Sequence, residues 1–260
     1  MAVVTANGAQ LEYETRGDGS PVLFLHSLLT DRTAYDEILP AFARRQAVTP
    51  SLPGFGLSTV RAETVEEYAE QLAVLTDAGV LPPRADIVGN GLGSFIALAL
   101  ATRFGSRFNR LVLIGAGAAF TAEGKTSFRN MREAALSKGM VAVAETAIAR
   151  LFPQEFILAN PAVADRHRQI LRGFHPEHFA SACGALLAVD LTPALPAISN
   201  PVLIVVGTCD HATPVALGRE LAARLPRACL VELRGQGHAP HIQSPQTLVQ
   251  TIAGFLDLSI

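Results

Sequence analysis

Four short segments of the chain carry residues that could do chemistry, and each follows a predicted strand. They are His26-Ser27-Leu28, Gly89-Asn90-Gly91-Leu92-Gly93, Asp210, and His238 within Gly235-Gln236-Gly237-His238-Ala239-Pro240. A histidine with a carboxylate can move protons, and backbone N–H groups at a tight turn can stabilise an anionic oxygen. Together these residue types indicate chemistry at a carbonyl group.

The elements that must position these segments alternate along the chain. Apolar runs of strand length, such as residues 22–25, are typical of strands buried on both faces of a parallel sheet. The patterns predict a hairpin around Asn7-Gly8, followed by strands at residues 22–25, 47–49, 85–88, 111–114, 201–206 and 228–233. They predict helices at residues 32–44, 64–78, 92–104, 214–224 and 247–256.

This alternation predicts an α/β fold, a mostly parallel twisted sheet with helices on both faces. Residues 121–189 show helical patterns and no convincing strand, so we expect a helical cap over one edge of the sheet. The core would then comprise residues 1–120 and 190–260. Ligands of such sheets bind outside the carboxyl ends of the strands, which is where the four segments lie.

Nearly the whole chain resembles the α/β-hydrolase family, whose triad follows the order nucleophile, acid, histidine. Residues 51–58, Ser-Leu-Pro-Gly-Phe-Gly-Leu-Ser, are similar to the family's Pro-Gly-x-Gly-x-Ser loop. Residues 179–219 and the loop 27–31 resemble the 3-oxoadipate enol-lactonase group in particular. The resemblance implies that Asp210 is the acid and His238 the catalytic histidine. It also implies an oxyanion hole formed by the N–H groups of Leu28 and Leu92.

The chain departs from this family at the elbow, the turn of residues 89–93. The family's Gly-x-Ser-x-Gly reads Gly-Asn-Gly-Leu-Gly, so Gly91 stands at the nucleophile position. Glycine has no side chain to attack a carbonyl, which closes the acyl-enzyme route carried by this motif. We expect the space left at Gly91 to admit a water, on which His238 would act as general base.

Further residues are candidates for contact with a ligand. His26, Ser27 and Asn90 are candidates for contact with substrate, with a structural role for His26 and packing for Asn90 as the alternatives, whereas Ser94, one helical turn past the elbow, should face away. Three arginines of the insertion could bind a substrate carboxylate, although the sequence favours surface solvation for each: Arg129, Arg132 and Arg172.

No cofactor and no metal is expected. Glycine stretches at residues 89–94 and 111–117 mimic a dinucleotide-binding fingerprint. Neither is followed, about 20 residues later, by an acidic residue that ends a second strand, as ribose recognition requires. His175 and His178 have no evident third ligand.

Composition excludes several classes of protein. The 260 residues carry 21 basic and 23 acidic side chains with no basic stripe, so we expect no nucleic-acid partner. The longest apolar stretch, residues 95–101, is far shorter than the roughly 20 residues of a membrane span. Three scattered cysteines and an N-terminus unlike a signal peptide favour a cytoplasmic protein. As its partner we expect a small molecule. The sequence leaves the oligomeric state open.

Three functional hypotheses follow from these residues. In the first, the chain is a hydrolase of the enol-lactonase or esterase type whose nucleophile has been removed, by nature or deliberately. In the second, it is a natural serine-independent enzyme that uses His238 as general base on a lactone or on a C–C bond beside a carbonyl. In the third, it binds a ligand without turning it over.

Overall fold

The computed structural model describes residues 1–6, 9–59 and 61–258. Within these residues, eight strands form one sheet in the order β1-β2-β4-β3-β5-β6-β7-β8. Their bounds are β1 Ala2–Ala6, β2 Ala9–Arg16, β3 Ser20–Leu25, β4 Arg45–Pro50, β5 Ala85–Asn90, β6 Phe108–Ile114, β7 Val202–Gly207 and β8 Ala228–Leu233. The predicted turn at Asn7-Gly8 lies outside the described residues.

Strands β1, β2 and β4 pair antiparallel, whereas β4, β3, β5, β6, β7 and β8 pair parallel. The predicted α/β fold is therefore confirmed. Because parallel strands end at the same edge, the loops after β3, β5, β7 and β8 lie along one edge of the sheet.

The helices of the described residues connect and cover these strands. They are α1 Val65–Asp77, α2 Leu92–Phe104, α3 Ala122–Lys138, α4 Met140–Leu151, α5 Gln154–Ala159, α6 Pro161–Arg172, α7 Pro176–Ala188, α8 Val215–Arg224, α9 Pro240–Gln243 and α10 Pro245–Leu256. Five of them, α3 to α7, lie between β6 and β7 and are called the cap helices here. None of the helices described is long and apolar enough to cross a membrane.

The single helix predicted for residues 32–44 is wrong. Two short 3₁₀ helices, Arg32–Tyr35 and Leu39–Phe42, occupy this region. Pro40 lies at the start of the second helix, and a proline lacks the N–H that a continuous helix needs and restricts the residue before it. The apolar spacing of the segment is real, but the proline divides it.

The sheet separates two clusters of buried side chains, as the period of two along a strand requires. In β3, Val22 and Phe24 pack with the C-terminal helix α10, whereas Leu23 and Leu25 pack with α1 and α2. Residues 92–101 of α2 are all buried, in agreement with the apolar pattern around this helix. The turn that leads into α2 therefore lies between a buried strand, β5, and a buried helix.

A buried carboxylate joins three parallel strands at the amino ends opposite the functional edge. Asp86 of β5 is 1% exposed and lies 2.6 Å from Arg45 Nη2 and 3.0 Å from Arg110 Nη2. Arg45 and Arg110 also donate to backbone carbonyls at the end of α10, at Leu256 and Phe255 respectively. The cluster therefore ties the strands to the C-terminal helix.

Asp86→Asn should destabilise the fold strongly, because it leaves two guanidinium groups without their shared carboxylate. We expect the free energy of unfolding to fall by about 3–5 kcal/mol. The matched control is Asp77→Asn, whose side chain is 62% exposed and pairs with Arg107 at the surface. That change should cost less than about 1 kcal/mol. Urea unfolding of both variants measures the difference, and equal losses would contradict the role given to the buried cluster.

Candidate active site

The turn between β5 and α2 adopts a backbone conformation that suits glycine. Gly91 has φ +52° and ψ −117°, outside the regions that L-residues readily occupy. Its N–H donates to the Ile114 carbonyl at 2.9 Å, which fixes the turn against β6. Gly93 is required for a different reason, since a Cβ there would collide with the Leu25 carbonyl of β3.

His238 and Asp210 form a buried pair at the carboxyl ends of β8 and β7. His238 Nδ1 lies 2.9 Å from Asp210 Oδ2, and the residues are 3% and 5% exposed. The other carboxylate oxygen accepts from the N–H groups of Ala212 and Thr213 at 2.7 and 2.8 Å. These bonds fix the carboxylate as an acceptor, so Nδ1 is the protonated nitrogen and Nε2 is free to accept a proton.

The backbone of His238 is held as firmly as its ring. Its N–H donates to the carbonyl of Leu151 at the end of α4, at 3.0 Å. Its carbonyl accepts from Asn90 Nδ2 at 2.9 Å. Asn90, predicted to contact substrate, therefore positions the histidine instead, and it is absent from the lining of the cavity described below.

His238 Nε2 is directed at the elbow and at the loop after β3. It lies 3.4 Å from Ser27 Oγ. A Cβ placed on Gly91 would be 2.6 Å from Nε2 and 2.7 Å from Ser27 Oγ. These two atoms limit the space in the direction that a side chain would take, and the water expected beside Gly91, which lines the cavity described below, stays a prediction.

Two backbone N–H groups stand beside these side chains without an acceptor among the described residues. They belong to Leu28, in the loop after β3, and to Leu92, the first residue of α2. The N–H groups of a helix's first turn have no partner within the helix and carry the positive end of its dipole. Both groups can therefore donate to an anionic oxygen in the cavity.

His26 is part of the support for this loop. Its Nδ1 donates to the Ser27 carbonyl at 2.8 Å, and its Nε2 accepts from the Leu52 N–H at 3.0 Å. Burial lowers the pKa of His26, in keeping with a neutral ring that donates on one side and accepts on the other. The residue does not line the cavity, although a substrate contact was predicted for it.

A small cavity of about 20 Å³, called the central cavity here, is lined by several of the predicted site residues. Its polar floor is formed by Ser27, Gly91 and His238, with Thr213 beside them. Its remaining walls are mainly apolar and come from the loop after β3, from α2, from the cap helices and from the loops after β6 and β7: Leu28, Leu29, Leu92, Phe95, Phe120, Phe128, Leu186 and Ala212. This volume has room for about one water molecule, so a substrate could enter only if the surrounding side chains or the cap helices move.

Arg150 is the cavity residue that sequence reasoning missed. Its Nη2 donates to the Ala212 carbonyl at 3.3 Å, and its guanidinium carbon lies 5.4 Å from the centroid of the Phe128 ring. Nε is buried without an acceptor among the described residues. The helical spacing could have indicated that Arg150 faces inward, because it lies seven residues after the buried Val143 and three after the buried Ala147. Arg129, Arg132 and Arg172 are exposed, in agreement with their interpretation as solvated surface residues.

Burial lowers the pKa of the Arg150 guanidinium, and the negative charge of Asp210 opposes that shift. Among the described residues, no carboxylate lies within 4 Å of this cation. The cavity therefore contains one positive charge that a ligand could pair with.

The sequence of the chain is similar to those of known hydrolases. The sequence model of the Alpha/beta hydrolase family matches residues 22–251. A curated relative, 3-oxoadipate enol-lactonase 2 from Acinetobacter baylyi, is 27% identical over 94% of this chain and 91% of its own length.

Solved structures of similar proteins cover almost the whole chain. The enol-lactonase from Burkholderia xenovorans superposes with a TM-score of 0.93 at 27% identity, over 98% of this chain and 100% of that one. A thermophilic esterase from Thermogutta terrifontis gives a TM-score of 0.88 at 29% identity, over 98% and 96% of the two chains.

Gly91→Ala should destabilise the protein by more than the strain of a positive φ alone. The strain costs an L-residue about 1–3 kcal/mol, and the new methyl group would also displace His238 or Ser27. Gly79→Ala is the matched control, since Gly79 has φ +74° but nothing within 4 Å of its Cβ position. We expect Gly91→Ala to lower the free energy of unfolding by at least about 1 kcal/mol more than the control. If urea unfolding shows the same loss of unfolding free energy for both variants, His238 and Ser27 do not obstruct a side chain at residue 91.

Proposed function

We propose, from the premise that the chain belongs to the alpha/beta hydrolase family, that it hydrolyses a small ester or lactone without a nucleophile at residue 91. Its relatives are enol-lactonases and esterases, so hydrolysis of a carboxylic ester is the common chemistry. Gly91 stands where the family's elbow carries its nucleophile. His238 is the general base, Asp210 holds it, and the N–H groups of Leu28 and Leu92 receive the oxyanion.

The observation that carries this proposal is the buried His238–Asp210 pair with Nε2 directed into the central cavity. A pair kept only for stability would not need a ring nitrogen that faces a cavity and has no strong partner. Nδ1–H donation to Asp210 fixes the tautomer in which Nε2 can remove a proton from a hydroxyl. The donors of Leu28 and Leu92 can then stabilise the charge that develops on the carbonyl oxygen.

The positive charge of Arg150 indicates what kind of group the substrate carries. A guanidinium in a mainly apolar cavity is costly unless it is paired, and its buried Nε lacks an acceptor. A carboxylate on the substrate would supply that acceptor by a charge-assisted hydrogen bond. We therefore propose a substrate that carries an anionic group beside its ester or lactone carbonyl.

Removal of the general base tests the proposed mechanism. His238→Ala and Asp210→Asn should each lower kcat/KM for a short-chain aryl ester or an enol-lactone by about 10²- to 10⁴-fold. His211→Ala changes an exposed histidine next to Asp210 and serves as the control, for which no loss is expected. If His238→Ala keeps the activity of this control, the proposed role of His238 is wrong. A wild-type chain that binds these compounds without turnover would favour a ligand-binding protein.

Replacement of the cavity cation tests the substrate class. Arg150→Met keeps an unbranched, flexible side chain and removes its charge, so KM for an ester with a free carboxylate should rise by about tenfold or more. KM for a neutral ester of the same length should change little. Arg129→Met, at an exposed position, is the control. Equal effects of Arg150→Met on the two esters would contradict recognition of an anion by this residue.

A further inference from the structure

The side chain of Ser27 contacts the general base directly. Its Oγ lies 3.4 Å from His238 Nε2, and it is the one hydroxyl in hydrogen-bond range of that nitrogen among the described residues. Nε2 is the atom left to accept a proton once Nδ1–H is donated to Asp210. The Ser27 hydroxyl thus lies where a histidine base takes its proton, at a separation typical of sites without substrate.

The glycine at the elbow is what permits this contact. A Cβ on Gly91 would lie 2.6 Å from Nε2 and 2.7 Å from Ser27 Oγ, closer than non-bonded atoms approach. In this arrangement, a side chain at residue 91 and the contact between Ser27 and His238 exclude each other. The Ser27 hydroxyl is also close to the point from which an elbow serine would extend its own hydroxyl.

Local hydrogen bonds hold Ser27 in place. Its N–H donates to Thr30 Oγ1 at 3.1 Å, and its carbonyl accepts from His26 Nδ1 at 2.8 Å. Its Oγ accepts from the Leu29 N–H at 3.4 Å, so the oxygen has a donor besides any ligand. The residue is 1% exposed and forms part of the cavity floor. Such preorganisation favours a reacting group over an incidental polar contact.

We propose, on the basis of the proposed function, that Ser27 is the nucleophile of this chain. Its hydroxyl, in the loop after β3, replaces that of an elbow serine. Ser27 Oγ would give its proton to His238 Nε2 as it forms a bond to the carbonyl carbon of the ester or lactone. The tetrahedral intermediate then collapses as the carbon–oxygen bond to the leaving group breaks. The leaving oxygen takes the proton from His238, and an acyl group remains on Ser27. Water, deprotonated by His238, hydrolyses that acyl group and restores the serine.

The oxyanion donors fit this assignment. Leu28 directly follows Ser27, as the family's first oxyanion donor directly follows its nucleophile. The N–H groups of Leu28 and Leu92 have no acceptor among the described residues, and both residues line the cavity with Ser27. A carbonyl attacked by Ser27 therefore meets the same two donors that the elbow would use.

Ser94, the serine nearest to the elbow in sequence, is engaged elsewhere. Its Oγ lies 2.8 Å from the Gly89 carbonyl and 3.0 Å from the Ile114 carbonyl, between the helix and the sheet. It is absent from the lining of the central cavity. The geometry therefore favours Ser27 over Ser94.

Covalent labelling of the whole protein tests this proposal. The wild-type chain is treated with a fluorophosphonate and, separately, with p-nitrophenyl acetate followed by rapid acid quench, and the modified residue is mapped by mass spectrometry. We expect one adduct, on Ser27. Ser27→Ala should lose the adduct and at least about 100-fold in kcat/KM, whereas Ser27→Cys should still be acylated. Ser137→Ala, at an exposed serine, should leave labelling and hydrolysis unchanged.

The outcomes separate this proposal from the proposed function. Hydrolysis that requires His238 but persists in Ser27→Ala, with no adduct on Ser27, would overturn Ser27 as nucleophile and leave His238 as a base that activates water. An adduct on another serine would also overturn it. If the wild-type chain shows neither adduct nor hydrolysis, both proposals fail together. Because labelling is mapped on the wild-type chain, the result does not depend on whether Ser27→Ala folds.

Discussion

The arrangement of the site depends on the backbone at residue 91. A left-handed φ of +52° turns the chain from β5 into α2, and glycine at this point leaves its Cβ position vacant. His238 Nε2 and Ser27 Oγ approach that position to 2.6 and 2.7 Å. The glycine at the elbow thus permits the contact between His238 Nε2 and the one hydroxyl that, among the described residues, lies within its hydrogen-bond range. Any side chain at residue 91 must move one of the two.

The cap helices take part in the site as well as covering it. The carbonyl of Leu151, at the end of α4, accepts the N–H of His238, so the histidine is fixed to the cap as well as to the sheet. The neighbouring Arg150 and, from α3, Phe128 form one wall of the cavity. Any ligand that enters the cavity must therefore pass the same helices that hold His238. This arrangement couples the position of His238 to the position of the cap.

Much of the architecture could be predicted because its signals are local. Continuous apolar runs mark the parallel strands, and α2 was predicted to its observed ends. The prediction of one helix at residues 32–44 is wrong because it followed the apolar spacing, whereas Pro40 interrupts the helix in the structure. His238 and Asp210 were found through their motif contexts. The contact between Ser27 and His238 was not foreseen, because it joins residues 211 positions apart. Arg150 was missed because its neighbours Phe128 and Ala212 belong to other elements.

The proposed chemistry requires that His238 keep its proton on Nδ1, toward Asp210, and offer Nε2 to a hydroxyl. Nitrogen-15 NMR of the imidazole in the wild-type protein at neutral pH distinguishes the two tautomers of a neutral histidine. We expect a protonated Nδ1 and an unprotonated Nε2 for His238. A proton on Nε2, donated to Ser27 Oγ, would rule this chemistry out, because the histidine could then accept no proton from that hydroxyl.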